Sequence, residues 1–191
     1  MNYADVKDID VREIPVIDIS VLHDAADADI EIIGQQLRQA AETIGFFYIS
    51  NHGIPSDLID KIFAVANRFF ASPLERKREA LVTPHHRGFL EIGESTMEGQ
   101  AHVDLKESFI WGRDVALDDP DIRAGDKLTA PNNWPEFLPE MRGILNAYLD
   151  AANNCGAKML KALAAGLGIE HDYFIQSFDK PISRGALVHY P

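Results

Sequence analysis

The chain is poor in basic residues, which limits the partners that it can bind. Its 191 residues include 18 Lys and Arg against 30 Asp and Glu, which gives a formal net charge of -12 at pH 7. Binding to nucleic-acid phosphates or to acidic lipid surfaces needs clustered Lys and Arg, and no segment supplies such a cluster. The composition therefore predicts neither a nucleic-acid partner nor a membrane partner.

Cysteine and long apolar runs are also scarce. The single Cys155 cannot form an internal disulfide, and it lies among Ala and Leu at helical spacing, so we interpret it as a small core residue. The N-terminal MNYADVKDIDVREIP mixes charges and lacks the apolar run of a signal peptide, and no later run reaches membrane-spanning length. These absences predict a cytoplasmic protein, and the length suits one domain.

Short apolar segments alternate with helical patterns in the first part of the chain. Ile14 to Ile19 predicts a strand, and Phe46 to Ser50 predicts a second strand that ends at the turn Asn51-His52-Gly53. Apolar residues recur at helical spacing from Ile30 to Ile44, with a glycine at the C-cap position, and again from Leu58 to Phe70. The sequence therefore predicts two helices that alternate with two strands.

Two further segments follow the second helix. Ser72-Pro73-Leu74-Glu75 fits a capping box with proline at the first helical position, which predicts a short helix through the ERKRE run. The charges of that run are predicted to face solvent. Thr83 to Gly99 has no sustained period and predicts an irregular segment or a hairpin.

The rest of the chain predicts one dominant helix between weaker elements. Apolar residues keep helical spacing from Pro139 to Gly166, which makes this the longest predicted element. The other predictions are a strand over His102 to Gly112, a polar connection over Asp114 to Asn133, a short helix over Asp172 to Phe178 and a strand over Ala186 to Tyr190. A hydrophobic strand that stops at Tyr190-Pro191 needs neighbours, so we expect the chain to be the first part of a larger protein.

The stretch QAHVDLKESFIW contains His102-Val103-Asp104, which has the His-x-Asp spacing of a metal-binding pair. Mononuclear iron enzymes use two His and one carboxylate, so a further His would have to come from His85, His86, His171 or His189. A three-residue motif is a weak signal. The alternative is that Asp104, Lys106 and Glu107 make polar contacts at one end of the strand.

Six blocks occur in an order that resembles a known family. They are I-P-V-I-D, G-F-F-Y-I-S-N-H-G-I-P, S-P-L-E-R-K, H-R-G-F, D-L-K-E-S-F and, after the long helix, H-Y-P. This order resembles the N-terminal region of the isopenicillin N synthase-like family of non-haem iron oxygenases, most of which use 2-oxoglutarate. The resemblance covers the chain from Ile14 to Pro191.

The resemblance implies a fold, cofactors and a boundary. The expected fold is α/β (α+β), with an N-terminal helical layer and the first strands of a double-stranded β-helix, or jelly roll, truncated before the iron site. In the family an H-x-D pair and a distal His bind Fe(II) after the Y-P strand, and an Arg-x-Ser holds 2-oxoglutarate. Because His102 and Asp104 precede the Y-P strand, the resemblance implies that they are not the iron-binding pair. It places the protein ligands of both cofactors outside the chain.

The resemblance also implies candidate site residues within the chain. Arg87 would anchor a substrate carboxylate at the mouth of the active site, and Ser108 and Ile110 would face the substrate cavity while Phe109 packs in the core. Tyr190 would point into the barrel, where its hydroxyl could bond 2-oxoglutarate or a substrate carboxylate. His189 would lie on the opposite face in a structural role.

The resulting hypothesis is that residues 1–191 form a single N-terminal oxygenase region. It would comprise the family's N-terminal block over about 14–113, the two later helices over 135–180 and the start of an incomplete barrel over 186–191. The region would form one wall of the pocket of an oxygenase that uses Fe(II), 2-oxoglutarate and dioxygen to oxidise a small molecule. The alternative is a non-catalytic truncated or interaction module of the same fold without an iron site.

Overall fold

A computed structural model describes residues 14–24, 26–94 and 104–191, and it has the mixed α and β composition that the sequence predicts. The described residues form two compact units. The first draws on the described residues up to Gly53 and on Asn154–Lys180, and the second on the described residues from Ile54 to Asn153 and on Pro181–Pro191. None of the described helices combines the length and the apolar composition needed to cross a bilayer.

The first unit contains a small parallel sheet and a long helix. Strand β1 (Val16–Asp18) pairs with strand β2 (Tyr48–Ser50), and helix α1 (Asp27–Thr43) connects them, as the sequence predicts. The backbone of Gly45 has a φ of 82°, which favours glycine and ends the helix. A 3₁₀ turn at Ser20–His23 follows β1. The core of this unit is aliphatic and consists mainly of Ile17, Ile19, Leu22, Ile33 and Leu37.

Glycines allow two helices of the first unit to touch through their backbones. Helix α5 (Glu140–Gly166) ends in this unit, and its last turn lies against the middle of α1. A Cβ atom on Gly34 would lie 2.6 Å from the carbonyl oxygen of Ala162 and 2.6 Å from the nitrogen of Gly166. The crossing therefore requires the absence of a side chain at Gly34.

The second unit is built on an antiparallel sheet of three strands. The strands are β3 (Gly88–Leu90), β4 (Glu107–Gly112) and β5 (Arg184–His189), with β4 in the centre. Its helices are α2 (Ser56–Phe70), α3 (Leu74–Lys77), α4 (Pro120–Arg123) and the first part of α5 (Glu140–Gly166). The core is aromatic and is centred on Phe69, whose ring contacts those of Phe89 and Phe109 edge to face.

Several local predictions were wrong. Pro73 is the N-cap of α3 without a side-chain capping bond, and Ser72 instead donates its hydroxyl to the carbonyl of Arg68, so no capping box forms. The ERKRE run is not wholly solvated, because Lys77 is only 7% exposed. The polar connection after β4 contains the short helix α4, and the predicted helix over Asp172 to Phe178 is mainly turns, with a 3₁₀ segment at Ile175–Ser177.

Candidate functional site: the outer face of the three-stranded sheet

Strand β4 has two chemically different faces. Phe109 and Trp111 are 0% and 2% exposed in the aromatic core, and the indole of Trp111 donates to the carbonyl of Leu145 at 3.2 Å. Because side chains alternate along a strand, Ser108 and Ile110 lie on the opposite face. The prediction that Phe109 packs in the core is confirmed.

The face opposite the aromatic core is called the outer face here. Ser108 pairs with Leu90 on one side and Val188 on the other, and Ile110 pairs with Ala186 on β5. Directly paired residues of antiparallel strands share a face, so these five residues form one surface. It grows more exposed toward β5, where the side chain of Val188 is 47% exposed, whereas Ser108 in the centre is 4% exposed. The surface is apolar around a single central hydroxyl.

Arg87 precedes β3 in a tight turn and is 3% exposed. The turn is closed by a hydrogen bond from the amide of Thr83 to the carbonyl of Arg87 at 2.8 Å. The guanidinium donates to the carbonyls of His85 at 3.2 Å, His86 at 3.3 Å and Leu128 at 3.0 Å, and its buried Nε has no hydrogen-bond acceptor. Carbonyl oxygens thus hold the charge of Arg87 in position without neutralising it.

A glycine on β4 makes room for this guanidinium on the outer face. A Cβ atom on Gly112 would lie 2.7 Å from Nη2 of Arg87, and position 112 has the same strand parity as Ser108 and Ile110. Gly112 pairs with the exposed Arg184 of β5. The two guanidinium-bearing residues are therefore neighbours at one end of the outer face.

No carboxylate of a described residue lies within ion-pair distance of either Arg87 or Arg184. Burial holds the pKa of the Arg87 guanidinium below its usual value, and repulsion from Arg184 lowers it further. This end of the outer face is consequently a positively charged position for which the described residues supply no counterion. Sequence reasoning missed Arg184, which lies two residues before the predicted strand Ala186 to Tyr190, whereas the observed strand begins at Arg184.

Tyr190 and His189 follow the alternation of β5. The side chain of Tyr190 is 69% exposed, and its strand parity matches that of Val188 on the outer face. His189 points the other way, where its ring stacks on Phe70 at a centroid distance of 5.1 Å and its Nδ1 lies 3.0 Å from Oε1 of Glu107. His189 thus makes the structural contacts expected of it.

A buried ion pair lies beneath the sheet. The Nζ of Lys77 donates to Oε2 of Glu107 at 2.6 Å and to the carbonyl of Phe70 at 3.3 Å, and it lies 5.2 Å from the ring centroid of Phe89. Glu107 shares strand parity with Phe109, a signal in the sequence that would have placed it toward the core. Nothing in the sequence distinguishes Lys77 from the exposed basic residues beside it.

The His-x-Asp motif is only partly within the described residues. His102 lies outside them, and the carboxylate of Asp104 bonds the ammonium of Lys106 at 2.6 Å, which raises the pKa of Lys106. The predicted polar contacts of Asp104, Lys106 and Glu107 at this strand end are confirmed. Across residues 14–24, 26–94 and 104–191, no three His, Cys, Asp or Glu side chains are grouped closely enough to hold a metal ion.

Comparison with known proteins gives the family. Residues 14–137 match the family model described as the N-terminal region of the non-haem dioxygenase in morphine synthesis. The chain belongs to this non-haem dioxygenase family. The resemblance to Fe(II)- and 2-oxoglutarate-dependent oxygenases is thereby confirmed, together with the fold class.

Individual members of the dioxygenase family match nearly the whole chain. The chain is 30% identical to homoarginine-6-hydroxylase of Arabidopsis thaliana, over 95% of this chain and 57% of the relative. It is 29% identical to the 2-oxoglutarate-Fe(II) type oxidoreductase hxnY of Emericella nidulans, over 93% of this chain and 52% of the relative. The crystal structure of a full-length Neurospora crassa protein in complex with alpha-KG superposes with a TM-score of 0.73 at 27% identity, covering 93% of this chain and 54% of that protein.

The chain spans about half the length of the curated dioxygenases that it matches, and it covers three of them to between 46% and 57% of their length. Fe(II) and 2-oxoglutarate are the cofactors of this family, as the description of the Emericella relative and the alpha-KG complex of the Neurospora protein state. The described residues do not fit an iron ion, since they contain no group of three suitable ligands.

Proposed function

We propose that this chain supplies the N-terminal part of an Fe(II)- and 2-oxoglutarate-dependent oxygenase whose substrate is a small molecule with a carboxylate. In this proposal the outer face forms one wall of the substrate pocket and the sheet is part of a double-stranded β-helix. The single observation that carries the proposal is the pair Arg87 and Arg184, two guanidinium-bearing residues on one face without a described carboxylate partner.

The two arginines would contribute to carboxylate binding in different ways. Arg184 is exposed, so its planar guanidinium is free to form a bidentate pair with a carboxylate. Arg87 is fixed by three carbonyls and would add a positive charge beneath the same position. An anionic group there would relieve the repulsion between the two cations, so the site favours carboxylates over neutral molecules.

The rest of the outer face would contact the body of the substrate. Ile110 offers an apolar surface beside the arginines, and the hydroxyl of Ser108 is the polar group at the centre of the face. The exposed hydroxyl of Tyr190 lies beyond Val188, at the end of the face away from Arg184, and would bond 2-oxoglutarate or the substrate. The outer face would thus present polar groups at both of its ends.

One feature of the family supports a carboxylate-bearing substrate. The Arabidopsis relative is named for homoarginine, an amino acid, and every amino acid carries a carboxylate. When bound, iron and 2-oxoglutarate supply the oxidising power, with decarboxylation of the keto acid to succinate. The iron ligands would be contributed by residues other than those described, and dioxygen would be the co-substrate.

A fusion protein tests whether the chain is part of an oxygenase. The chain would be joined to the portion of the Arabidopsis homoarginine-6-hydroxylase that follows the matched segment, and succinate formation from 2-oxoglutarate would be measured with Fe(II) and dioxygen. We expect Fe(II)-dependent succinate from the fusion and none from the 191-residue chain alone. The non-catalytic module predicts no succinate from either protein, and succinate from the chain alone would contradict the proposed location of the iron ligands.

A further inference from the structure

A cleft in the first unit combines an apolar wall with two lysines. Its volume is about 320 Å³, within the range of about 300–1,000 Å³ typical of small-molecule sites. Leu22, Ile30, Ala157 and Ile175 provide the apolar wall, and Lys158 and Lys161 lie one turn apart along one edge of α5. No acidic side chain among the described residues lines the cleft. The composition is that of a site for a molecule with an apolar body and an anionic end.

The hydrogen bonds around His23 show that the charge of Lys158 is not neutralised. The Nε2 of His23 lies 2.8 Å from the carbonyl oxygen of Asn51, and a carbonyl only accepts, so Nε2 carries the proton. The Nδ1 of His23 is then a lone-pair acceptor, and the Nζ of Lys158 donates to it at 2.8 Å. The partner of the Lys158 ammonium is therefore a neutral imidazole.

The two lysines of the cleft differ in whether a described carboxylate pairs with them. Lys161 forms an ion pair with Asp172 at 2.7 Å, whereas no carboxylate of a described residue lies within 4.0 Å of Lys158. Lys158 is also partly buried, so its charge is incompletely hydrated. A carboxylate in the cleft would supply the missing counterion, and the ammonium has N–H groups left to donate to it.

We propose that this cleft binds a small amphipathic monocarboxylate, with its carboxylate at Lys158 and its hydrocarbon chain against Leu22, Ile30 and Ile175. The deciding argument is charge complementarity, because an apolar cleft alone would accept an alcohol or an amine equally well. The site shares no residue with the outer face of the sheet. It is therefore independent of the proposed oxygenase activity.

Three probes of equal chain length test the chemical class. Hexanoate, 1-hexanol and hexylamine would be titrated into the ¹⁵N-labelled chain, and amide shifts of Ala157, Lys158 and Ile175 would be followed by NMR. We expect hexanoate to bind at about millimolar affinity, as suits a ligand of its size, and at least about fivefold more tightly than 1-hexanol. Equal affinity for hexanoate and 1-hexanol, tighter binding of hexylamine, or no shifts at these amides would overturn the proposal.

Matched variants test the role of Lys158. Lys158→Met keeps the length of the side chain but removes its charge, so it should weaken hexanoate binding at least about fivefold and leave 1-hexanol binding unchanged. Lys61→Met makes the same change at an exposed ion pair with Asp57 on α2 and should leave hexanoate binding unchanged. Retained hexanoate affinity in a folded Lys158→Met protein, judged by its amide spectrum, would also overturn the proposal.

Discussion

At the scale of single residues, the ion pair between Lys77 and Glu107 is the most consequential contact that the sequence did not indicate. The side chains of Lys77 and Glu107 are 9% and 5% exposed, and the ring of His189 at the end of β5 also contacts the Glu107 carboxylate. Removing one partner of a buried pair leaves an uncompensated charge in a poorly hydrated place. Replacing one of the two residues should therefore destabilise the chain far more than replacing both.

We predict that Lys77→Met destabilises the chain by about 3–5 kcal/mol, since it leaves the Glu107 carboxylate buried without its cation. The double variant Lys77→Met, Glu107→Leu should recover most of this loss, because no isolated charge remains. Urea denaturation measures both values. As a control, Lys61→Met removes an exposed pair and should change stability by no more than about 1 kcal/mol. A double variant as unstable as the single one would show that the pair itself provides the stabilisation.

At the residue scale, the sequence predicts the orientation of side chains on strands but not their tertiary contacts. Strand parity correctly assigns Phe109 and Ser108 to opposite faces. Applied to Glu107 it predicts the core face, and applied to Arg184 it predicts the outer face. The sequence singles out Arg87, but its burial depends on the carbonyl of the distant Leu128 and on the missing side chain of Gly112. Such tertiary contacts leave no periodic signal along the chain. The functional role of Arg87, Ser108, Ile110 and Tyr190 stays a prediction.

At the scale of elements, the crossing of α1 and α5 depends on one glycine. We predict that Gly34→Ala destabilises the chain by about 1–3 kcal/mol, because its Cβ would collide with the backbone of α5, which cannot yield as a side chain would. Gly143→Ala in α5 meets nothing within 4 Å and should instead stabilise by about 0.5–1 kcal/mol through helix propensity. Thermal unfolding of both variants measures this contrast. Equal effects of the two substitutions would contradict the close crossing.

Asp126 is one of the carboxylates that organise the connection after β4. Asp126 accepts from the hydroxyl of Thr129 at 2.6 Å and the amide of Leu128 at 2.9 Å, and these hydrogen bonds lower its pKa. A carboxyl whose pKa is lower in the folded chain stabilises it above its unfolded pKa of about 3.9 and loses that effect as pH falls through the folded value. Asp126 should therefore contribute at neutral pH and not in strong acid.

We predict that the stability difference between the wild-type chain and Asp126→Asn is constant above about pH 5 and shrinks as pH falls below about 4. Urea denaturation at a series of pH values measures it. Thr129→Val, which removes the hydroxyl that donates to Asp126, should make the same difference smaller and less dependent on pH. A difference that grows on acidification would mean that the sign of the pKa shift is wrong.

The long helices were the most predictable elements, although the three-residue strands β1 and β2 were also predicted. The helices α1, α2 and α5 are long enough for apolar spacing to define them, and the glycine after α1 marks its end. The three-residue strand β3 has too few positions for alternation to emerge, and α4 has no buried residue to set a period. The capping box failed because Pro73 occupies the N-cap and the Ser72 hydroxyl bonds backward to α2.

At the scale of the whole molecule, the order of the sequence blocks carried more information than any single motif. H-x-D is chemically suggestive, yet its Asp104 is bound to Lys106 and its His102 lies outside the described residues. The ordered blocks indicated the oxygenase family, which the match of residues 14–137 confirms. Strand pairing could not be read from the blocks, because hydrogen-bonded partners such as Ile110 and Ala186 are far apart in sequence.

The most direct test of the account is whether the outer face binds a carboxylate through Arg184. Benzoate and benzamide, which have nearly the same shape and differ in charge, would be titrated into the ¹⁵N-labelled chain while the amides of Ser108, Ile110 and Ala186 are followed. Arg184→Met would be compared with Arg38→Met, which alters an exposed arginine paired with Glu42 on α1.

We predict that benzoate shifts these three amides and that benzamide does not. We also predict that Arg184→Met weakens benzoate binding at least about fivefold, consistent with the loss of a charge-assisted pair, while Arg38→Met leaves it unchanged. Equal responses to benzoate and benzamide, or an Arg184→Met protein that binds benzoate as the wild type does, would contradict the proposed carboxylate site.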